Sequence, residues 1–243
     1  MSGSVAMYTV EKDGRLIGPV DFIQHQGFGK DPVRQSGPHA HAVVFEPRRQ
    51  ILYVPDLGMD TLVLYKLDRD EKKLVHLADL DLKTAAGAGP RYMEIHPNGK
   101  WAFLINELDS TVSLVSLSGK TAKIETIHTI PLLPKDFSGT STASDLHLSP
   151  DGRHLYCSNR GDDSIVAIEI DQETGTMKTI GRFPCGGKTP RNFMITRDGR
   201  YVIAANQDSD MLVSFRRDTA TGLLTATGYT VEAPTPVCVR QFS

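Results

Sequence analysis

Short runs in which apolar and polar residues alternate recur along this chain, separated by polar turns. Four segments align with one another at a spacing of about 50 residues, starting at His41, Tyr92, Ser144 and Asn192. In most of them an Asn-Gly or Asp-Gly turn separates the first run from the second, which is a hairpin signal. A second polar turn leads to a third run and a looser fourth. The pattern predicts four antiparallel strands per segment, the blade of a β-propeller.

The two ends of the chain carry parts of the same pattern. Residues 4–8 and the turn at 13–16 match the third strand of the other units and the turn that follows it, whereas residues 236–239 resemble the start of a unit. The sequence therefore predicts an all-β protein with four complete blades and a partial blade at each end, forming one propeller domain over residues 1–243. Such a ring leaves an exposed edge unless its ends pair.

Composition narrows the classes of ligand. The chain has 243 residues, 27 basic and 29 acidic, with a formal charge of -2, which provides no general field for nucleic acid or a membrane surface. No apolar run long enough to span a membrane and no signal-peptide pattern is found, so we expect a cytoplasmic protein. The three cysteines are too widely spaced for a zinc site, and we predict neither a metal nor a cofactor.

The order of strands in a blade predicts where polar residues meet. In a four-stranded meander, the segment leading into the innermost strand and the loop between the second and third strands lie at the same end. Both sets of loops should therefore surround one mouth of the central channel. The predicted catalytic residues there are His39, His41, Arg91, Glu107, Arg160 and Arg191, and the predicted substrate-binding residues are Asp56, Asn106, Asn159, Asn192, Asn206 and Gln207.

Three guanidiniums in a chain of nearly balanced charge favour a small anionic ligand, because arginine offers a fixed fork of donors to carboxylate or phosphate oxygens. A neighbouring histidine or Glu107 would act as general base. His39 and His41 have the spacing of a ligand pair, but no third metal ligand accompanies them. Residues 186–189 look like the end of a P-loop, yet Arg182 stands where that motif needs its first glycine.

These residues, in their order along the chain, resemble the seven-bladed propeller lactonases, a family that also includes the fungal carboxy-cis,cis-muconate cyclase. The matching motifs are Gly-Pro-His-Ala-His at 37–41, Gly-Pro-Arg at 89–91 with Asn-Glu at 106–107, Ser-Asn-Arg-Gly at 158–161, Gly-Lys-Thr-Pro-Arg-Asn at 187–192, and Ala-Asn-Gln-Asp-Ser-Asp at 205–210. The resemblance implies a mouth that acts on a cyclic ester beside an anionic group. It also implies an N-terminally shortened member of the family.

The leading hypothesis is hydrolysis of a sugar-acid lactone, most specifically 6-phosphogluconolactone. Two alternatives stay open at this point: a cycloisomerase that forms a lactone from a carboxylated diene, and a non-catalytic propeller that binds partners on its rim. Catalysis requires the arginines and Glu107 to converge on one pocket, whereas a scaffold would leave them spread apart or paired internally.

Overall fold

A computed structural model describes residues 3–117 and 124–242 and contains four sheets of at least four strands and one hairpin. The hairpin consists of β1 (Ser4–Val10) and β2 (Leu16–Gln24). Blade I consists of β3 (Val44–Glu46), β4 (Ile51–Asp56), β5 (Thr61–Asp68), β6 (Lys73–His76) and β7 (Leu82–Lys83). Blade II consists of β8 (Pro90–Ile95), β9 (Trp101–Asn106), β10 (Thr111–Ser116) and β11 (Glu125–Pro131).

Blade III consists of β12 (Thr142–Leu148), β13 (His154–Arg160), β14 (Ser164–Ile170) and β15 (Met177–Pro184). Blade IV consists of β16 (Pro190–Ile195), β17 (Tyr201–Asn206), β18 (Met211–Arg217) and β19 (Leu224–Glu232). Strands that follow one another in the chain pair antiparallel within each blade, and in blade I β7 adds to β5 beside β6. The predicted all-β architecture of four-stranded antiparallel blades is confirmed.

The apolar core lies between successive sheets rather than inside one of them. Phe103 of blade II and Leu155 of blade III belong to one buried cluster, while Tyr156 of blade III and Phe193 of blade IV belong to the next. Val5 of the hairpin packs with residues of blade I in the same way. Because the middle strands of blades I to III are covered on both faces by neighbouring sheets, they read as nearly continuous apolar runs.

The loop between the second and third strands ties each blade to the next. It ends in a residue with left-handed backbone, namely Asp60, Ser110, Asp163 or Asp210, with φ between 49° and 51°. Where that residue is aspartate, a carboxylate oxygen accepts a hydrogen bond from the backbone N–H just ahead of the next inner strand, an arrangement that suits the short polar side chain. The pairs are Asp60 with Gly89 (2.8 Å), Asp163 with Thr189 (2.8 Å) and Asp210 with Thr235 (2.7 Å).

Residues 233–242 form no strand of their own, although Thr235 has the left-handed backbone that Thr189 has before β16. The backbone N–H of Val239 donates to Oδ1 of Asn192 (2.7 Å), and that of Arg197 donates to Oε1 of Gln241 (3.1 Å). The C-terminal segment therefore runs beside β16 in the place of a further inner strand, in agreement with the interpretation of residues 236–239 as the start of a unit.

Candidate functional site

The loops that the strand order predicted at one end of the blades do meet there. In each blade the first residues of the inner strand pair with the last residues of the second strand. The pairs are Ala40 with Asp56, Pro90 with Asn106, Thr142 with Arg160, and Pro190 with Asn206. The leading segments and the second-to-third loops therefore surround the same mouth.

Glu107 is the centre of the charged cluster at this mouth, where it is 2% exposed. Its Oε2 accepts from Nη1 of Arg91 (2.9 Å) and forms an ion pair with Nη2 of Arg160 (3.1 Å), and its Oε1 accepts from Arg34. Burial alone would raise the pKa of Glu107, but the three guanidiniums outweigh it and hold that pKa at about 2. The carboxylate is thus ionised and fully engaged at neutral pH.

Arg91 connects this carboxylate to β12 of blade III and to the segment that leads into β3 of blade I. Its Nε donates to the carbonyl oxygen of Ser144, and its Nη1 also contacts the imidazole of His41. Burial lowers the pKa of Arg91 to about 10, although the adjacent Glu107 carboxylate acts in the opposite direction. Arg91 stays charged at neutral pH with its position set from several sides.

His41 lies beside Arg91 and keeps an exposed face toward the mouth. Its partial withdrawal from water and the Arg91 guanidinium lower the pKa of His41 to about 4. The imidazole is therefore neutral at pH 7 and accepts a hydrogen bond from Arg91 through Nε2. His39, by contrast, makes backbone contacts: its N–H donates to Asp56 (2.8 Å) and its carbonyl accepts from Leu57 (3.0 Å). Of the two histidines, the structure brings His41 to the charged cluster.

Arg160 and Arg191 complete the group of guanidiniums. Nη2 of Arg160 donates to the carbonyl of Ala143 (3.1 Å), while its Nε is buried without a hydrogen-bond partner among the residues that the structure describes. The backbone carbonyl of Arg191 accepts from Oγ of Ser144 (2.6 Å), and its half-buried side chain influences the ionisation of His41, Arg91 and Arg160. These arginines thus converge within electrostatic range of one another.

A cavity of about 340 Å³ opens at this place, which is within the range of small-molecule sites. Its lining includes His41, Arg91, Ser144, Asp145, Arg191, Asn192 and Arg240. A larger cavity of about 560 Å³ lies on blade IV around Arg200 and Arg216, beside the turn that joins β16 to β17 and thus at the other end of the blade. Loop convergence and perturbed pKa values favour the smaller cavity as the functional one.

Most of the predicted substrate-binding residues lie away from the cavity. Asp56 is fully buried and binds Nδ1 of His25 (2.6 Å) and the backbone of His39 (2.8 Å). The amides of the three corresponding asparagines are also buried, and each donates within its own blade or to the segment that precedes it. Asn106 donates to Thr111 and Ser113, Asn159 to Ser164, and Asn206 to the carbonyl of Cys185.

This placement argues against direct substrate contact for those four residues and indicates that they hold the loops in shape. Gln207 is half-buried and donates to Asp208 (3.0 Å). Of the predicted substrate-binding residues, only Asn192 lines the cavity; its Nδ2 donates to Asp145. Turn-forming asparagines recur at the same position in blades II, III and IV, so position in the sequence alone did not separate structural from exposed amides.

Three residues at the site escaped the sequence analysis: Arg34, Asp145 and Arg240. Arg34 lies in the long segment between β2 and β3, where no strand pattern predicts its location. Asp145 follows Ser144 in β12, and the register of that strand would have indicated it. Arg240 directly follows the matched motif at 236–239, and alignment of Pro236 with Pro90 and Pro190 would have predicted its place.

Within residues 3–117 and 124–242, no group of three or more histidine, cysteine, aspartate or glutamate side chains is arranged to hold a metal ion. The same part of the chain contains no helix that is long and apolar enough to cross a membrane.

Comparison with known proteins places this geometry in a family. The family described as "Lactonase, 7-bladed beta-propeller" matches residues 1–241. The 6-phosphogluconolactonase of Bacillus subtilis is 36% identical over 239 residues, covering 98% of this chain and 67% of that protein. The 6-phosphogluconolactonase of Serratia proteamaculans is 35% identical over 175 residues, covering 70% of this chain and 52% of that protein.

Solved structures agree with the sequence relatives. The periplasmic gluconolactonase of Pseudomonas aeruginosa superposes with a TM-score of 0.92 at 35% identity, covering 98% of this chain and 66% of that one. A protein from Lactobacillus plantarum gives the same TM-score at 30% identity, covering 98% and 68%. The chain thus spans between about half and two thirds of the length of these relatives. The match to the family over residues 1–241, the sequence identities and the shared fold show that this chain belongs to the seven-bladed β-propeller lactonase family.

Proposed function

We propose that this chain hydrolyses the lactone of an anionic sugar acid, with 6-phosphogluconolactone as the leading substrate. The observation that carries the proposal is the ion-pair cluster of Arg91 and Arg160 around buried Glu107, from which Arg91 and a neutral His41 line an open cavity. Relatives named 6-phosphogluconolactonase support this choice of substrate.

The arginines stabilise negative charge on the carbonyl oxygen of the ring ester. Nucleophilic addition of water to the carbonyl carbon places negative charge on that oxygen, and a guanidinium aimed at it stabilises the transition state more than the ground state. Arg160 has a buried Nε donor without a hydrogen-bond partner in the described part of the chain, and Arg91 donates to a neutral imidazole. Arg91, which lines the cavity, therefore has a donor that substrate can take up, while Arg160 contributes its positive charge from beside Glu107.

His41 acts as the general base in this proposal. When the substrate oxygen takes the Arg91 donor, the lone pair of the His41 imidazole becomes free to accept a proton from the attacking water. The tetrahedral intermediate then collapses, the ring C–O bond breaks, and the proton passes to the leaving alkoxide to give the hydroxy acid. A general base contributes about 10²- to 10⁴-fold to the rate.

Glu107 takes a positioning role rather than that of the base. A carboxylate that already binds three guanidiniums, with a pKa near 2 that lies below the pKa of about 4 of His41, is the weaker proton acceptor of the two. Its contribution is to hold Arg91 and Arg160 close together in spite of their mutual repulsion. A cytoplasmic location goes with this proposal, because phosphorylated sugars are charged metabolites of the cell interior.

The test is hydrolysis of 6-phosphoglucono-δ-lactone measured by proton release, after subtraction of the spontaneous rate. Arg91→Ala should lower kcat/KM by about 10²- to 10³-fold, the cost of removing one donor to a developing oxyanion. Arg153→Ala, at an exposed turn remote from the mouth, is the matched control and should keep the full rate. Lack of catalysed hydrolysis by the native chain, or full activity of Arg91→Ala, would contradict the proposal. Loss of diene absorbance from 3-carboxy-cis,cis-muconate would instead indicate a cycloisomerase.

A further inference from the structure

The inner strands repeat in register, and this repetition locates one more arginine. His41, Arg91, Ser144, Arg191 and Val237 each directly follow an alanine or a proline at the start of their segment. Three residues further along stand Val44, Glu94, His147, Met194 and Arg240. Arg240 therefore belongs to the layer just beyond the mouth residues, on the segment that lies beside β16.

The surroundings of Arg240 agree with this register. Its Nη1 lies 3.5 Å from Nε2 of His147, and its side chain lines the mouth cavity of about 340 Å³. It also lines a neighbouring cavity of about 260 Å³, together with Glu94, His147 and Arg197. Arg240 thus lies where the two cavities meet, near the guanidinium group of the mouth but on a different inner segment.

The acidic side chains around these cavities already have partners. Asp145 and Glu94 lie on either side of His147, with oxygen–nitrogen distances of 3.1 Å and 3.3 Å. Burial would lower the pKa of His147, but these two carboxylates outweigh burial and raise the pKa to about 9, so the imidazole is protonated at neutral pH. Glu107 is likewise bound by Arg91, Arg160 and Arg34.

Arg191 and Arg240 differ from the other arginines of the mouth. Among residues 3–117 and 124–242, neither of them forms an ion pair with a carboxylate, although both line the same cavity as His41 and Arg91. With both signs counted, the lining has an excess of positive charge. Two guanidiniums without a carboxylate partner in the lining of one small-molecule cavity suit a doubly charged oxyanion such as a phosphate monoester.

We propose that Arg240, together with Arg191, binds the phosphate group of the substrate, while Arg91 and Arg160 serve the ring ester. The site should therefore bind a phosphorylated sugar acid more tightly than the same acid with a hydroxyl group in place of the phosphate. That the substrate carries a lactone ring rests on the proposed function. The phosphate site does not depend on it, because its evidence is the two guanidiniums without a carboxylate partner. Arg240 is thus a specificity-determining residue supplied by the C-terminal segment.

The test measures binding of 6-phosphogluconate and gluconate to the 243-residue chain by titration calorimetry at fixed ionic strength. The native chain should bind 6-phosphogluconate at least about 10-fold more tightly, because a charge-assisted contact changes affinity by about 10- to 100-fold. Arg240→Met should remove most of that preference and change gluconate binding by less than about 2-fold. Arg240→Lys should keep part of the preference, because a point charge replaces the fork.

Arg153→Met is the matched control and should bind both ligands like the native chain. An affinity ratio that Arg240→Met leaves unchanged would overturn the inference, as would equal weakening of both ligands or a native chain with no preference. Hydrolysis is measured separately on the same samples. Phosphate-dependent binding without catalysed hydrolysis would contradict the proposed function and leave this inference standing, whereas hydrolysis with an unchanged ratio would do the reverse.

Discussion

Replacement of Glu107 by glutamine tests whether this carboxylate holds the arginine cluster through its charge. Glutamine keeps the size of the side chain and one acceptor oxygen but removes the negative charge from among Arg91, Arg160 and Arg34. The site is 2% exposed, so water would not compensate for the loss. Glu107→Gln should therefore destabilise the fold at neutral pH, since breaking a buried pair leaves uncompensated charge.

The depressed pKa gives the magnitude and the pH dependence. A carboxyl with a pKa of about 2 when folded and 4.5 when unfolded contributes about 3 kcal/mol to the free energy of unfolding at pH 7. The sign follows from the direction of the shift: this stability is fully present above the unfolded pKa and is lost as the pH falls through the folded pKa. By the same linkage relation, less than half of it remains near pH 3.

Urea denaturation of both proteins between pH 7 and pH 3 checks the reasoning. The difference in unfolding free energy between the native chain and Glu107→Gln should be largest at pH 7 and shrink steadily below pH 4.5. Glu173→Gln, at an exposed loop position, is the matched control and should show no such trend. A difference that stays constant over this pH range would mean that packing, not charge, sets the cost, and would refute the argument.

Three further variants address other parts of the site. His41→Asn should lower kcat and abolish the acid limb that the native kcat/KM profile shows as pH falls through about 4; a native limb near 6.5 would contradict the shielding of His41. Asp56→Asn removes a buried carboxyl group bound to His25 and should cost about 3–5 kcal/mol in urea denaturation; a loss below about 1 kcal/mol would argue against this pair. Gly58→Ala would place a methyl group 1.9 Å from the Gly37 carbonyl oxygen and should lower Tm, with a cost of about 1–3 kcal/mol; an unchanged Tm would mean that the loop shifts freely.

Controls for these variants exist within the same chain. Gly37→Ala adds a methyl group with no atom within 4 Å, so it should leave Tm close to that of the native chain. Asp13→Asn alters an exposed turn carboxylate that pairs locally with Arg15, and it should have little effect on unfolding.

The blade architecture and the location of the mouth followed from the sequence because both depend on local rules. Period-two alternation specifies strands, Asn-Gly and Asp-Gly specify their hairpins, and antiparallel order specifies which loops share an end. The pairing of Pro90 with Asn106 and of Pro190 with Asn206 matches what those rules predict. The convergence of Arg91, Arg160 and Glu107 could be predicted for the same reason.

The direction of each side chain could not be predicted from the sequence in this way. Asn106 and Asn159 lie at the same end as Glu107, yet their amides turn into the blade. Arg34 reaches Glu107 from a segment without strand periodicity, across 73 positions of sequence. A repeat pattern predicts which residues share a level of the propeller, but which of them face the cavity depends on packing between blades.

The contacts between neighbouring inner strands have a practical consequence for redesign. Arg91 donates to the carbonyl of Ser144, Ser144 donates to the carbonyl of Arg191, and Asn192 accepts from the backbone of Val239. Substituting Arg91, Ser144 or Asn192 would move the neighbouring inner segment together with the side chains that it places at the mouth. A change made in one blade would therefore also affect the next. An engineer who wants a different lactone should vary the guanidinium ends of Arg191 and Arg240, which lie outside this chain of contacts.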